Sequence, residues 1–221
     1  LNKVLSPKES VLLDDGSFTI TAQKFYIQNR VIPYPNSVMY KAFGFLIKNL
    51  KTPNLYSFFK LDLFLLEGQV NYFDVPIKKK ININKGQVFF FGSKFSEDKI
   101  MDLSDEINIL SKVFDSFPEK VVCYVPHRDE SLTKLNKISE IGYELKNLEK
   151  PAEVYFDETD IMPEVVLSYY STVLYTCYLK FSNVNIQSID IYYFLSQENA
   201  RINAKEIYSY YKNLEINVLK I

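Results

Sequence analysis

The sequence carries one imidazole. His127 stands in VVCYVPHRDE (121–130), behind a run of β-formers and a proline, with Arg128 and two acids after it. A histidine near its unperturbed pKa of about 6.5 can give a proton to a departing phosphate or hydrogen-bond its oxygens. Asp14-Asp15-Gly16 follows VLL. A carboxylate there can take the proton of an attacking hydroxyl, and paired acids raise each other's pKa toward the working range. Ser168 and Ser171-Thr172 offer hydroxyls at a helix start, where backbone N–H groups form a phosphate cradle. Glu153, after Pro151-Ala152, has a carboxylate of the kind that accepts both hydroxyls of a ribose. Each of these also has a plain structural reading: a loop imidazole, an Asp-Gly turn, a helix N-cap and an edge-strand charge.

The elements that must position these residues follow from periodicity. Residues 10–13 predict a short buried strand broken at Asp14-Asp15-Gly16. Residues 17–70, with Pro33, Pro35 and Pro53, read as irregular with a helix or two. INKGQVFFFGS (83–93) predicts a turn and then a buried strand over 88–91, stopping at Gly92-Ser93. Over 103–117 a helix is expected, N-capped by Ser104, with Ile107, Leu110, Phe114 and Phe117 on one face and Pro118 as its stop. Residues 121–125 predict a second buried strand. Residues 131–142 predict a helix with Leu132, Leu135, Ile138 and Ile141 on one face and Gly142 as C-cap. The stretch 143–156 predicts a short strand, a turn at Lys150-Pro151 and another extended piece carrying Glu153. In MPEVVLSYYSTVLYTCYL (162–179) Pro163 is expected at the first turn of a helix, with SYYS after it, and 203–218 reads as an amphipathic helix.

Strand and helix alternating over 86–156 with short links are the pattern of a parallel α/β sheet. Ligands of such sheets bind beyond the carboxyl ends of the strands. His127, Gly92-Ser93 and Asp14-Asp15-Gly16 each follow a predicted strand end, so their loops are expected to converge on one crevice.

Composition narrows the function classes. Apolar residues are 47% and charged residues 24% of the 221 residues, a globular balance. Lys and Arg number 26 against 27 Asp and Glu, which leaves no excess positive charge for nucleic acid. The lysines at 78–80 are flanked by apolar residues and read as a solvated turn. Cys123 and Cys177 supply neither a disulfide framework nor metal-ligand spacing, and with one histidine no protein-built metal site is expected. No apolar run approaches the ~18 residues that span a bilayer. The chain is therefore expected in the cytoplasm, with 203–221 weighed as a membrane-surface segment against ordinary core packing, the stronger reading. Because it opens on Leu1 and enters a strand-like run almost at once, the chain is expected to be part of a longer polypeptide.

The ordered series of Asp14-Asp15-Gly16, Gly92-Ser93, Tyr124-Val125-Pro126-His127-Arg128, Lys150-Pro151-Ala152-Glu153 and Ser171-Thr172 resembles the bacterial sialyltransferases. More narrowly it is similar to the group of lipooligosaccharide sialyltransferases and capsular polysialyltransferases. Those enzymes carry an acidic-acidic-Gly motif, a histidine motif and a Ser-Ser or Ser-Thr motif in that order, and the likeness covers about residues 8–190. One departure is Arg128, where many relatives have proline. The resemblance implies a two-domain GT-B glycosyltransferase, with residues 1–82 the remainder of an acceptor-side domain and 83–221 a Rossmann-like CMP-binding domain. It implies CMP-sialic acid as donor, a glycan acceptor, inversion and no cofactor or metal. Asp15 or Asp14 would deprotonate the acceptor, and His127 would bind or protonate the departing phosphate. Glu153 would hold the ribose, Ser171 and Thr172 the phosphate, and Gly92 and Ser93 would lie near the nucleotide. Two alternatives stay open: a GT-B enzyme with another nucleotide sugar, and a catalytically silent α/β binding or scaffold protein.

Overall fold

The computed structural model describes residues 11–13, 16, 17, 19–21, 54–57, 59, 70–72 and 78–221. The chain divides into two compact units, Leu1–Val75 and Pro76–Ile221. That division falls ahead of the 82/83 boundary expected from sequence, and Lys79 and Ile81 are bonded into the second unit. Lys79 N–H donates to the Lys180 carbonyl at 2.9 Å and Ile81 N–H to Asn183 Oδ1 at 3.0 Å.

In the first unit, β1 (Val11–Leu13), β2 (Asn54–Ser57) and β3 (Val70–Tyr72) pair in parallel in the order β1-β2-β3. Gly16 follows β1 at a left-handed φ of 58°, a conformation that favours glycine. A helical turn over 19–21 comes next, with Thr19 N–H donating to Gly16 O at 3.4 Å and Ile20 N–H to Ser17 O at 3.2 Å. The strands at 54–57 and 70–72 replace the irregular structure expected there, because segments this short show no period to read. Asp14 and Asp15 lie outside the described residues.

The second unit is one six-stranded, all-parallel sheet. Its strands are β4 (Asn82–Phe91), β5 (Val121–Val125), β6 (Glu144–Leu145), β7 (Ile161–Ser168), β8 (Asn185–Asp190) and β9 (Asn217–Lys220), in spatial order β6-β5-β4-β7-β8-β9. Numbered within the unit, that order is 3-2-1-4-5-6, the doubly wound arrangement with its reversal between β4 and β7. The runs VFFF, VVCYV and VVL are continuous and apolar because both faces of the sheet are covered. The helices are α1 (Leu103–Asp115), α2 (Leu132–Ile141), α3 (Ala152–Glu158), α4 (Thr172–Lys180) and α5 (Glu198–Asn213). α1 packs against α2 and α3 against α4, and the Tyr175 and Tyr210 rings join α4 to α5 at 5.7 Å.

Several expected elements change. Pro163 lies inside central strand β7, not at a helix start. Opposite it β4 bulges between Asn84 and Val88, with Gly86 at φ 84°, and pairing with β8 begins only at Val165. The missing proline N–H thus falls at a break in one ladder and before the start of the other. The amide of Gly86 is satisfied by Glu164 Oε2 at 2.8 Å. The extended piece expected through Glu153 is helix α3, which buries Phe156. Asp102, not Ser104, takes the N-cap position of α1, and its buried face is Glu106, Ile109, Leu110 and Val113. On α2 the expected apolar Leu132 is 77% exposed, while Lys134 is buried. The C-terminal helix ends at Asn213 and strand β9 follows. Its inner face of Ala204, Ile207, Tyr208 and Tyr211 is core: Tyr208 O–H donates to Ile189 O at 2.9 Å and Tyr211 O–H to Ser171 O at 2.7 Å. No helix among the described residues is long and apolar enough to cross a membrane.

Burial holds the phenols of Tyr124, Tyr143, Tyr169, Tyr208 and Tyr211 above their ordinary value of 10.0. The native state then keeps protons that the unfolded chain gives up above that value. The phenols' share of stability is full below pH 10.0 and falls as pH rises past it, by up to about 1.4 kcal/mol per pH unit for each phenol. The buried Cys123 and Cys177 thiols, held above their ordinary 9.0, begin the loss earlier. Urea midpoints should start to fall as pH passes the thiol value and drop steeply past the phenol value; a midpoint unchanged a full unit above the phenol value would contradict the buried-phenol core.

Candidate functional site

The strands β5, β4 and β7 are neighbours, with Phe91 opposite Val125 and Phe90 opposite Leu167, so their following loops leave from one edge of the sheet. His127 stands just beyond β5. The chain turns over His127, Arg128, Asp129 and Glu130, closed by Glu130 N–H donating to His127 O at 3.0 Å. The Glu130 carboxylate returns the contact: Oε2 accepts the His127 N–H at 2.6 Å. The Asp129 N–H donates to His127 Nδ1 at 3.2 Å. A backbone amide is always a donor, so this contact suits the tautomer with a bare Nδ1 and the hydrogen on Nε2; the Asp129 carboxylate stands farther off, its Oδ2 3.8 Å from the same nitrogen. The imidazole is 37% exposed. Arg128, which the resemblance leaves without a counterpart, occupies the middle of this turn at 88% side-chain exposure, 3.7 Å from Asp129 Oδ2.

Beneath the turn lies a buried ionic cluster. The Lys134 Nζ is 2.7 Å from Glu106 Oε1, 2.7 Å from Glu130 Oε1 and 2.6 Å from the Ser93 carbonyl, and all three charged side chains are fully buried. Glu97, at 3.6 Å, stands at the margin. Burial alone would push the Lys134 ammonium down, but Glu106 and Glu130 outweigh it and hold it above its ordinary range. Burial pushes the Glu106 carboxyl up against the pull of Lys134. Tyr124 O–H donates to Glu130 Oε1 at 2.6 Å. Glu106 Oε2 and the Tyr169 hydroxyl are buried with no hydrogen-bond partner among the described residues.

Gly92 and Ser93 take part in this cluster rather than forming an open cradle. Gly92 N–H donates to Val125 O at 2.9 Å. A Cβ on Gly92 would meet the Tyr124 hydroxyl and lie 2.6 Å from Glu130 Oε2, so only glycine lets the strand end pass the Tyr124–Glu130 pair. The loop that follows is tied across the sheet edge: Ser196 N–H donates to Ile100 O at 2.8 Å. Phe95 lies against Tyr169 and Tyr170, with ring centroids 5.5 and 5.1 Å apart.

Ser171 caps α4, its Oγ accepting the Val173 N–H at 3.3 Å, which leaves the hydroxyl proton for a ligand. Thr172 begins that helix, whose N-terminal amides and dipole favour an anion. Ser168 Oγ instead donates to Phe91 O at 2.8 Å and is buried in the sheet. β5 and β7 flank β4, so the His127 and Ser171 loops start about two strand spacings apart, ~10 Å. Glu153 lies in the first turn of α3, which packs on α4 and sets Phe156 against Phe91. The Glu153 carbonyl accepts from Lys180 Nζ at 3.3 Å, and Lys180 is the last residue of α4. Among the described residues no group of three or more His, Cys, Asp or Glu side chains could hold a metal ion.

The sheet order and strand-end loops define the second unit as a doubly wound, Rossmann-like α/β unit. No family model matches this chain, and no curated protein sequence matches it. Glu106, Glu130 and Lys134 were not among the sequence candidates. One signal for them was present, the i,i+4 spacing of Glu130 and Lys134 with the acid first.

Lys134→Met should destabilise the fold by roughly 3–5 kcal/mol, because it strands buried carboxylates without their counter-charge. Combining it with Glu106→Gln and Glu130→Gln should recover most of the loss. Equal urea midpoints for wild type and the single variant would show that the cluster is not buried as described.

Proposed function

We propose that the chain is an inverting sialyltransferase that uses CMP-sialic acid and a glycan hydroxyl, of the kind that builds lipooligosaccharide or capsular polysaccharide, with its second unit binding the donor. One observation carries the reading most: a partly exposed imidazole whose Nδ1 accepts a backbone amide stands at the carboxyl edge of a 3-2-1-4-5-6 sheet, beside the loop of a serine-capped helix. The ordered sequence motifs supply the choice of donor.

The chemistry asks for two things. As the glycosidic C–O bond to CMP breaks, the phosphate gains negative charge and the anomeric carbon becomes electron-poor. His127 Nε2–H donates to that phosphate, with Ser171, Thr172 and the α4 amides contributing further donors; such positioned donors are the large term in catalysis. The acceptor oxygen bonds to the opposite face of the anomeric carbon, and its proton passes to a carboxylate, a role for which the sequence motif offers Asp15 or Asp14. One displacement inverts the centre. Gly92, Ser93 and Glu153 are given no ligand role in this reading.

CMP at 100 times its Kd should stabilise the chain by about 2.7 kcal/mol, read as a rise in Tm, while UDP and GDP leave Tm unchanged. A rise with UDP or GDP alone would move the reading to a different nucleotide sugar, and no response to any nucleotide would favour a binding or scaffold protein. With CMP-sialic acid and a galactosylated and sialylated acceptor panel read by mass, His127→Ala should cut transfer at least ~100-fold while the fold persists. Near-normal transfer by the folded variant would overturn the role of His127.

A further inference from the structure

The His127 turn is held from below by a single carboxylate. Glu130 bonds His127 at both its backbone groups: its own N–H reaches His127 O at 3.0 Å and its Oε2 accepts the His127 N–H at 2.6 Å. Its other oxygen, Oε1, is fixed by two donors, Tyr124 O–H at 2.6 Å and Lys134 Nζ at 2.7 Å. Neither donor has room to move. Tyr124 is fully buried and stacked on Phe90 with ring centroids 5.6 Å apart, and Lys134 is also bound to Glu106 and the Ser93 carbonyl. The carboxylate is thus aimed at one main-chain amide by the packed interior of the sheet. That amide begins the turn whose third residue, Asp129, offers its N–H to Nδ1 at 3.2 Å.

We propose that Glu130 is the positioning residue of His127: by anchoring the His127 amide it holds the turn in the form that caps Nδ1 and presents Nε2–H outward as a hydrogen-bond donor. The outward donor serves the departing phosphate, a use that rests on the sialyltransferase reading; the positioning itself does not. Lys134 and Tyr124 act through Glu130, as the groups that orient its carboxylate.

The carboxylate geometry singles out one variant. In Glu130→Gln the side chain keeps its size. Lys134, a donor only, claims the amide oxygen, and this turns the NH2 toward the His127 N–H, donor against donor. Lys134 still faces Glu106, so its charge remains paired. Glu130→Asp, which keeps the charge and shortens the reach to the His127 amide, is the second variant should the first fail to fold.

Because His127 is the only histidine in the chain, its ring can be read alone by nitrogen NMR with labelled histidine. Wild type should show one tautomer, Nε2 protonated and Nδ1 bare, with a coupling across the Asp129 N–H···Nδ1 bond. In folded Glu130→Gln that coupling should vanish and the two ring-nitrogen shifts should move toward each other as the tautomers exchange. Asp129→Asn, which retains the backbone amide, should leave the wild-type pattern. Where transfer is measurable, Glu130→Gln should lower kcat about 10- to 100-fold with a smaller change in KM for the donor, the scale of misplacing a positioned group. An unaltered tautomer and coupling in folded Glu130→Gln overturns the positioning role and leaves the sialyltransferase reading standing. The predicted loss of the coupling in the variant, together with no sialic acid transfer by the wild-type protein, sustains the positioning and overturns that reading.

Discussion

An ammonium without solvent governs this unit. Lys134 is completely buried, and an ion so placed persists only where its attraction to partners offsets a desolvation penalty of several kcal/mol. Glu106 from α1 and Glu130 from the start of the α2 region meet that need, and the Ser93 carbonyl completes the coordination. Four pieces of chain are thereby fixed to one point: α1, α2, the end of β4, and the turn bearing His127 above them. The absence of a side chain at Gly92 is part of the same constraint, since the Tyr124–Glu130 pair fills the volume a Cβ would take. Apolar packing of the helices does not by itself fix such a geometry; a hydrogen-bonded charge network has directions as well as contacts.

The same cluster decides which loops face outward. In a doubly wound sheet the loop after the first strand ordinarily turns toward a ligand at the reversal of strand order. Here the end of β4 is drawn inward by Lys134 and the next residues cross the edge, with Phe95 on Tyr169 and Tyr170 and Ile100 bonded to Ser196. The loops of β5 and β7 remain to carry chemistry. One brings an imidazole whose Nδ1 accepts a backbone amide and an exposed guanidinium beside it, the other a capped helix N-terminus. An anionic leaving group suits that pair of loops, which is why a nucleotide donor is the reading adopted.

Much of this scaffold was legible in the sequence. VVCYV stands out because a parallel strand buried on both faces is apolar throughout, and Gly142 and Ser171 mark helix ends because backbone conformation and capping demand those residue types. Pro163 misled because its place in β7 depends on a bulge in a strand distant in sequence. The short helix α3 was taken for extended chain because one buried residue, Phe156, sets no period. The buried charges were missed for a sharper reason. Glu106 and Lys134 are residues that local rules assign to solvent, and only the meeting of two helices shows that each is the other's partner. His127 was singled out from its place after a strand, but its tautomer depends on bonds that only the folded turn supplies.

The central claim is that His127 meets the phosphate of CMP, and the solitary imidazole gives a direct way to see it. CMP should be titrated into the labelled protein while the His127 ring signals are followed. The account predicts a saturable shift of the Nε2 resonance, with Nδ1 still capped, that inorganic phosphate at equal concentration does not reproduce. Saturable CMP binding that leaves the His127 resonances unmoved would contradict it.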